Sequence, residues 1–206
     1  MKLSNETLNV LKNFAGINSG IEFKKGNKIS TISSTKTVLA KATLKDEFPQ
    51  DFCIYDLNQF LSVHSLNKDT ELDFDSNDVI FKAGRSKTKY RTTAKNMIVS
   101  PPEKELKLPS VDAEFKLTEE DLSQALKNAS ALQSPNLAFE SDGETISLTL
   151  FNSKDDSAHI NTTVIHTDGS YKKFKAVFLV ENFKMILDTY NIEISSAGLS
   201  SFKNDA

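Results

Sequence analysis

The chain has little of what catalysis or metal binding usually needs. Its 206 residues include one cysteine, three histidines and no tryptophan. A lone thiol, Cys53, excludes an intrachain disulfide framework and fits a reducing compartment. Within Phe52-Cys53-Ile54-Tyr55 it reads as a small buried hydrophobe, not a nucleophile. His64, His159 and His166 lie far apart and belong to no CxxC or HExxH spacing, so no metal site is expected. Glycine is scarce as well, at 7 residues. Gly84-Arg85-Ser86-Lys87-Thr88 lacks the glycine that should precede the lysine of a phosphate loop and reads as a basic turn. The acidic run Asp73 to Asp78 fails as a calcium loop, because Asp78 stands at the turn position and Gly84 at the last ligand position. Ser123 and Ser130 have no histidine and acid at usable local spacing. The longest apolar run, Ala176 to Val180, is far too short to span a bilayer, and Met1 to Glu6 lacks the apolar core of a signal peptide. No enzyme, no cofactor, no metal and no membrane are expected.

What is present is ordinary for a folded chain: 38% hydrophobic and 26% charged residues, with 14 phenylalanines to build the cores. The length allows two domains of about 100 residues each. The net charge of −3 argues against a protein that grips nucleic acid with its whole outer surface.

The chain repeats itself. Leu3-Ser4-Asn5-Glu6-Thr7-Leu8 and Leu117-Thr118-Glu119-Glu120-Asp121-Leu122 each open with a hydroxyl that can cap free backbone N–H groups. Acids follow in the first turn, and then apolar residues at helical spacing. Tyr55-Asp56-Leu57-Asn58-Gln59-Phe60 matches Phe178-Leu179-Val180-Glu181-Asn182-Phe183 at a constant offset. Each reads as a strand end running into a short helix, with a further strand after it (Glu71 to Phe74; Asn191 to Ile194). Gly26-Asn27 and Asp142-Gly143 mark hairpins between these landmarks. Pro101, Pro102 and Pro109 mark an extended linker. The expected division is a first domain over 1–96, a linker over 97–112 and a second domain over 113–206. The expected class is α+β, two similar domains each with an antiparallel sheet and two helices.

The second copy is shorter. After Phe74 the first half offers two strands, Val79 to Ala83 and Lys87 to Thr93, whereas after Ile194 the second offers only Gly198 to Lys203. One C-terminal strand is expected to be missing, leaving an unpaired edge.

The helix faces opposite the apolar stripes are small, polar and sparsely basic. They carry Lys2, Asn5, Asn9 and Lys12 on the first helix and Asn58, Ser62 and Ser65 on the second. The third has Ser123, Lys127 and Ser130, and the fourth Lys184. Singly these are solvent-facing residues; together they suit loose, sequence-independent contact with phosphates.

Met1-Lys2-Leu3-Ser4, Leu11-Lys12-Asn13-Phe14-Ala15-Gly16-Ile17-Asn18-Ser19-Gly20-Ile21 and Ile54 to Leu61 resemble the sliding clamps of T-even-like bacteriophages. So do Phe151-Asn152-Ser153-Lys154-Asp155-Asp156-Ser157-Ala158 and Glu181-Asn182-Phe183-Lys184-Met185. The matches are collinear and span essentially the whole chain. The resemblance implies the DNA clamp (processivity) fold, assembled as a homotrimeric ring around duplex DNA, and a location in the cytoplasm of the infected host. Lys12, Lys127 and Lys184 would face DNA, with Lys2 near it. Subunits would join by strand addition between the Arg85, Lys87, Lys89, Arg91 region and the His159, Thr163, His166 region. Implied partners are DNA polymerase, a clamp loader and late-transcription factors. The rival reading is a sequence-independent single-stranded DNA-binding protein using Lys87-Thr88-Lys89-Tyr90-Arg91 or Tyr171 to Lys175, where aromatics interleave with cations.

Overall fold

Two compact units, Met1–Lys104 and Glu105–Ala206, organise the chain. The structure, a computed structural model, describes residues 1–104, 106–167 and 169–204. Glu105 of the expected linker, and Asp168, Asp205 and Ala206 of the expected second domain, lie outside the described residues.

In the first unit, α1 (Asn5–Ile17) starts where Ser4 accepts from the Thr7 N–H, and it buries Leu11, Phe14, Ala15 and Ile17 on one face. The turn into β2 is made by Gly26 at φ 107°, a conformation that glycine adopts without a Cβ penalty. Strands β1 (Ile21–Phe23), β2 (Gly26–Ile32), β3 (Leu39–Phe48) and β4 (Phe52–Ile54) form an antiparallel sheet in the order β3-β2-β1-β4. Asp56 then starts α2 (Leu57–Ser65) by accepting from the Gln59 N–H. Strands β5 (Glu71–Phe74), β6 (Asp78–Ala83) and β7 (Ser86–Arg91) make a second antiparallel sheet. One core joins both helices and both sheets. Its centre is aromatic: Phe23 stacks on Phe52 at 4.5 Å, and Phe60 meets Phe81 and Tyr90 edge-on at 5.0 and 5.5 Å.

The second unit repeats this plan. Strand β8 (Ala113–Leu117) leads to α3 (Glu119–Leu132), where the Thr118 hydroxyl accepts from the Asp121 N–H. Strands β9 (Asn136–Ser141), β10 (Ile146–Phe151), β11 (Asn161–His166) and β12 (Phe174–Leu179) pair in the order β11-β10-β9-β12, matching β3-β2-β1-β4. Strands β13 (Tyr190–Ser195) and β14 (Leu199–Lys203) complete a three-stranded sheet with β8. Met1 occupies the place of β8 in the first unit, exchanging backbone hydrogen bonds with Leu72 of β5. By this correspondence β14 matches β6, and β7 has no counterpart among the described residues.

The second unit departs from expectation after β12. The helix expected there is a 3-10 turn, Val180–Asn182, and Lys184 follows it on irregular chain. The cause is local. The residue before the turn is Leu179, which makes no side-chain cap, whereas Asp56 caps α2. Phe183 turns aside (ψ 57°) to enter the core, and the Tyr190 hydroxyl holds the Ile186 carbonyl at 2.7 Å.

Candidate nucleic-acid interface and exposed sheet edges

The outward faces of the three helices are nearly free of carboxylates. Beyond its first turn α1 carries Asn9, Lys12 and Gly16 outward; α2 has no acid at all; α3 confines Glu119, Glu120 and Asp121 to its first turn. Glu6 is neutralised by Lys45 at 3.3 Å. The hydroxyls of Ser62 and Ser65 donate back to the carbonyls of Asn58 and Ser62, so α2 presents a small, internally satisfied surface. Lys12 and Lys127 are exposed and form no ion pair among the described residues. Lys2 is exposed too but reaches Asp69 at 3.4 Å. Lys184 is exposed on the loop after the 3-10 turn rather than on a helix. His64, on α2, is pushed below its ordinary pKa, first by burial and second by the Lys12 charge.

Two of the expected contact segments are edge strands. β7 closes the order β5-β6-β7 and β11 opens the order β11-β10-β9-β12, so each has one backbone edge without a partner in its own sheet. Lys87, Lys89 and Arg91 lie on β7, while Arg85 sits in the turn before it. The register pairs Asp78 with Arg91 and Ile80 with Lys89. Asp78, almost fully buried, takes Lys89 at 2.9 Å and has the Arg91 Nε at 3.5 Å. Asp78 is therefore a buried counter-ion to the cations of β7. Thr163 and His166 lie on β11; His159 is exposed on the loop that precedes it. The His166 Nε2 is 2.6 Å from the Lys116 carbonyl, which fixes that end of β11 to β8.

The aromatics expected to stack on single-stranded bases in the rival reading are committed elsewhere. Tyr90 packs on Phe60 and Phe81 while its hydroxyl donates to the Asp56 carbonyl and the Gln59 side chain. Tyr171 and Phe174 pack against the second core. No group of three or more potential metal ligands occurs among the described residues.

Two helix-backed units, each built from the same ordered sheet and each ending on an open edge, are a combination that other proteins share. The family of DNA polymerase processivity factors matches residues 4–100. The sliding clamp of Vibrio phage KVP40 is 32% identical over 98% of this chain and 94% of its own length. The chain belongs to the phage sliding clamp family. The clamp of Enterobacteria phage T4 is 34% identical over 96% of this chain and 89% of its own. The fold is shared with solved structures of much lower identity. The PCNA of A. fulgidus, solved with the C-terminal region of FEN-1, superposes with a TM-score of 0.65 at 17% identity, covering 91% of this clamp and 84% of that chain. The Pseudomonas aeruginosa DNA polymerase sliding clamp gives 0.64 at 15% identity, covering 92% of this clamp and 56% of that chain.

What sequence reasoning missed is a small cavity behind β11. It has a volume of about 140 Å³ and is lined by Glu120, Asp121, Gln124 and Ala125 of α3, Leu148 of β10, and Thr163 and Ile165 of β11. No single stretch of sequence signals it, since α3 and β11 become neighbours only through the sheet.

Proposed function

We propose that this clamp is a non-enzymatic ring subunit that encircles duplex DNA and tethers DNA polymerase to it. In this reading three copies join by adding β7 of one to β11 of the next, with 1–96 and 113–206 as the two clamp domains and 97–112 between them. A clamp loader places the ring on DNA in the infected host's cytoplasm, and the same ring serves late transcription. The observation that carries the reading is the charge distribution. A chain with net charge −3 keeps carboxylates off the helix faces beyond their first turns while leaving Lys12 and Lys127 free there. Such faces attract phosphates weakly and without reading bases, which lets a protein move along a duplex instead of gripping one site. Lys184 and Lys2 add to this surface in the assembly proposed.

A topological assay tests it. Loaded on nicked circular DNA, the clamp is expected to persist through gel filtration and to be lost when the circle is linearised. Equal retention on circles and on linear DNA with free ends would refute encirclement.

A further inference from the structure

One ring nitrogen in the first unit is buried and unsatisfied. His64 lies in the last turn of α2, half-buried, and its Nε2 is closed off from solvent with no hydrogen-bond partner among the described residues. The ring meets Phe81 of β6 edge-on at 6.4 Å, and the Thr70 hydroxyl donates to the His64 carbonyl at 3.1 Å. An imidazolium needs an acceptor at each nitrogen, so this niche suits the neutral ring. Helix α1 packs against α2 in the same core and brings the Lys12 charge to bear on His64. The other charged groups nearby are engaged or turned to solvent. The Met1 ammonium donates to the Leu72 carbonyl, Asp69 faces Lys2, Asp73 of β5 faces Lys82 of β6, and Asp78 takes Lys89 and Arg91. Lys68 and Glu71 are exposed, and the Tyr90 hydroxyl is held by Asp56 and Gln59. Burial first, and then Lys12, keep the ring neutral.

Burial is set by the fold, but the Lys12 charge is not, because a phosphate beside the exposed ammonium offsets it. We propose that phosphate contact at Lys12 draws a proton onto His64, so that the helix face gains a second cation where DNA lies against it. This rests on the reading of the α1 and α2 faces as a DNA surface and adds a proton-linked residue to that surface. Once protonated, the ring leaves a niche that offers Nε2 no acceptor and turns toward the solvent side of α2. A proton that phosphate favours must in turn favour phosphate. His64 therefore adds nothing to duplex affinity well above neutral pH, where the ring is neutral with or without DNA. Its contribution grows as pH falls through the range in which only the bound form is protonated.

The test is a pH titration of the histidine ring signals by NMR on the full chain, alone and with a short duplex. His64 is assigned from the signal lost in His64→Gln. With duplex, His64 should titrate about half a pH unit higher, which corresponds to about threefold tighter binding on the acid side. His159 and His166, on the loop before β11 and on β11 itself, should move less. Lys12→Ala should raise the His64 value in the free chain and abolish its response to duplex. A His64 titration that duplex leaves unmoved, while Lys12→Ala weakens binding, would overturn the proton link. So would an equal rise in all three histidines, which would report the general field of DNA rather than Lys12. Duplex binding that does not depend on Lys12 at all would instead overturn the DNA-facing reading of the helices.

Discussion

Asp46 on β3 holds Ser4, the residue that caps α1, by two hydrogen bonds: its Oδ2 accepts the Ser4 N–H at 2.7 Å and the Ser4 hydroxyl at 2.8 Å. Ser4 in turn accepts from the Thr7 N–H at 3.2 Å. The start of the helix that carries Lys12 is thus bolted to a sheet strand. Burial alone would raise the Asp46 pKa; hydrogen bonds from Ser4 and Thr7, with the Lys45 charge, outweigh it and leave the carboxyl below its ordinary value. A depressed carboxylate stabilises the fold above the unfolded-state pKa, and that contribution is lost as pH falls toward the folded value. Asp46→Ala should cost about 1–2 kcal/mol in urea titrations near neutral pH. Its deficit against wild type should shrink as pH drops below about 4; a deficit that is constant with pH would rule out the ionised bridge.

A glycine fixes where the connecting segment begins. A Cβ added to Gly20 would lie 2.8 Å from Ile98 Cγ2 and 3.0 Å from its Cβ. The Asn18 amide holds the Val99 carbonyl at 3.2 Å nearby, and Lys95 reaches Glu22 at 3.0 Å. Gly20→Ala should displace Ile98 and cost about 1–3 kcal/mol. Faster tryptic cleavage at Lys95 would report the loosened segment, and unchanged cleavage would show that the side chain accommodates the methyl.

These cases mark what the sequence discloses. Helix starts at Ser4 and Thr118 are legible because a cap acts within three residues of itself. The repeated sheet is legible because strand and hairpin signals recur in order. The start of the linker is not, since Ile98 is held by Gly20 and Asn18 through tertiary contact alone. Nor is the lost fourth helix: Val180 to Leu187 has helical apolar spacing, but lacks a capping side chain and gives up Phe183 to the core. Of the candidate site, the lysines and the two edge strands could be read locally. The Asp78 counter-ion and the α3–β11 cavity needed chains brought together across a sheet.

Tyr190 shows what replaced that helix. Its buried hydroxyl donates to the Ile186 carbonyl at 2.7 Å, and burial first, then the Asp188 charge, push its pKa up to about 12. A raised folded pKa means that the stabilisation is intact below the unfolded value of about 10 and is lost as pH rises through the folded one. Ultraviolet titration should show Tyr190 ionising late, alongside Tyr90, which burial also raises, and Tyr190→Phe should reduce the late amplitude by one tyrosine. Loss of the hydrogen bond should cost about 1 kcal/mol.

Charge removal on the helices tests the proposed DNA surface residue by residue. Lys12→Ala and Lys127→Ala each delete an exposed cation with no ion-pair partner among the described residues, whereas Lys2→Ala deletes one already facing Asp69. Each of the first two should weaken binding to short duplexes uniformly across sequences and lower the salt slope by about 1. Lys2→Ala should do less of both, because its contact with phosphate competes with Asp69. Thermal stability should hardly change for any of the three, as these are exposed side chains outside the cores. Equal losses from all three would mean that net charge, not placement on the helix faces, governs binding. A loss confined to one DNA sequence would point to base contacts.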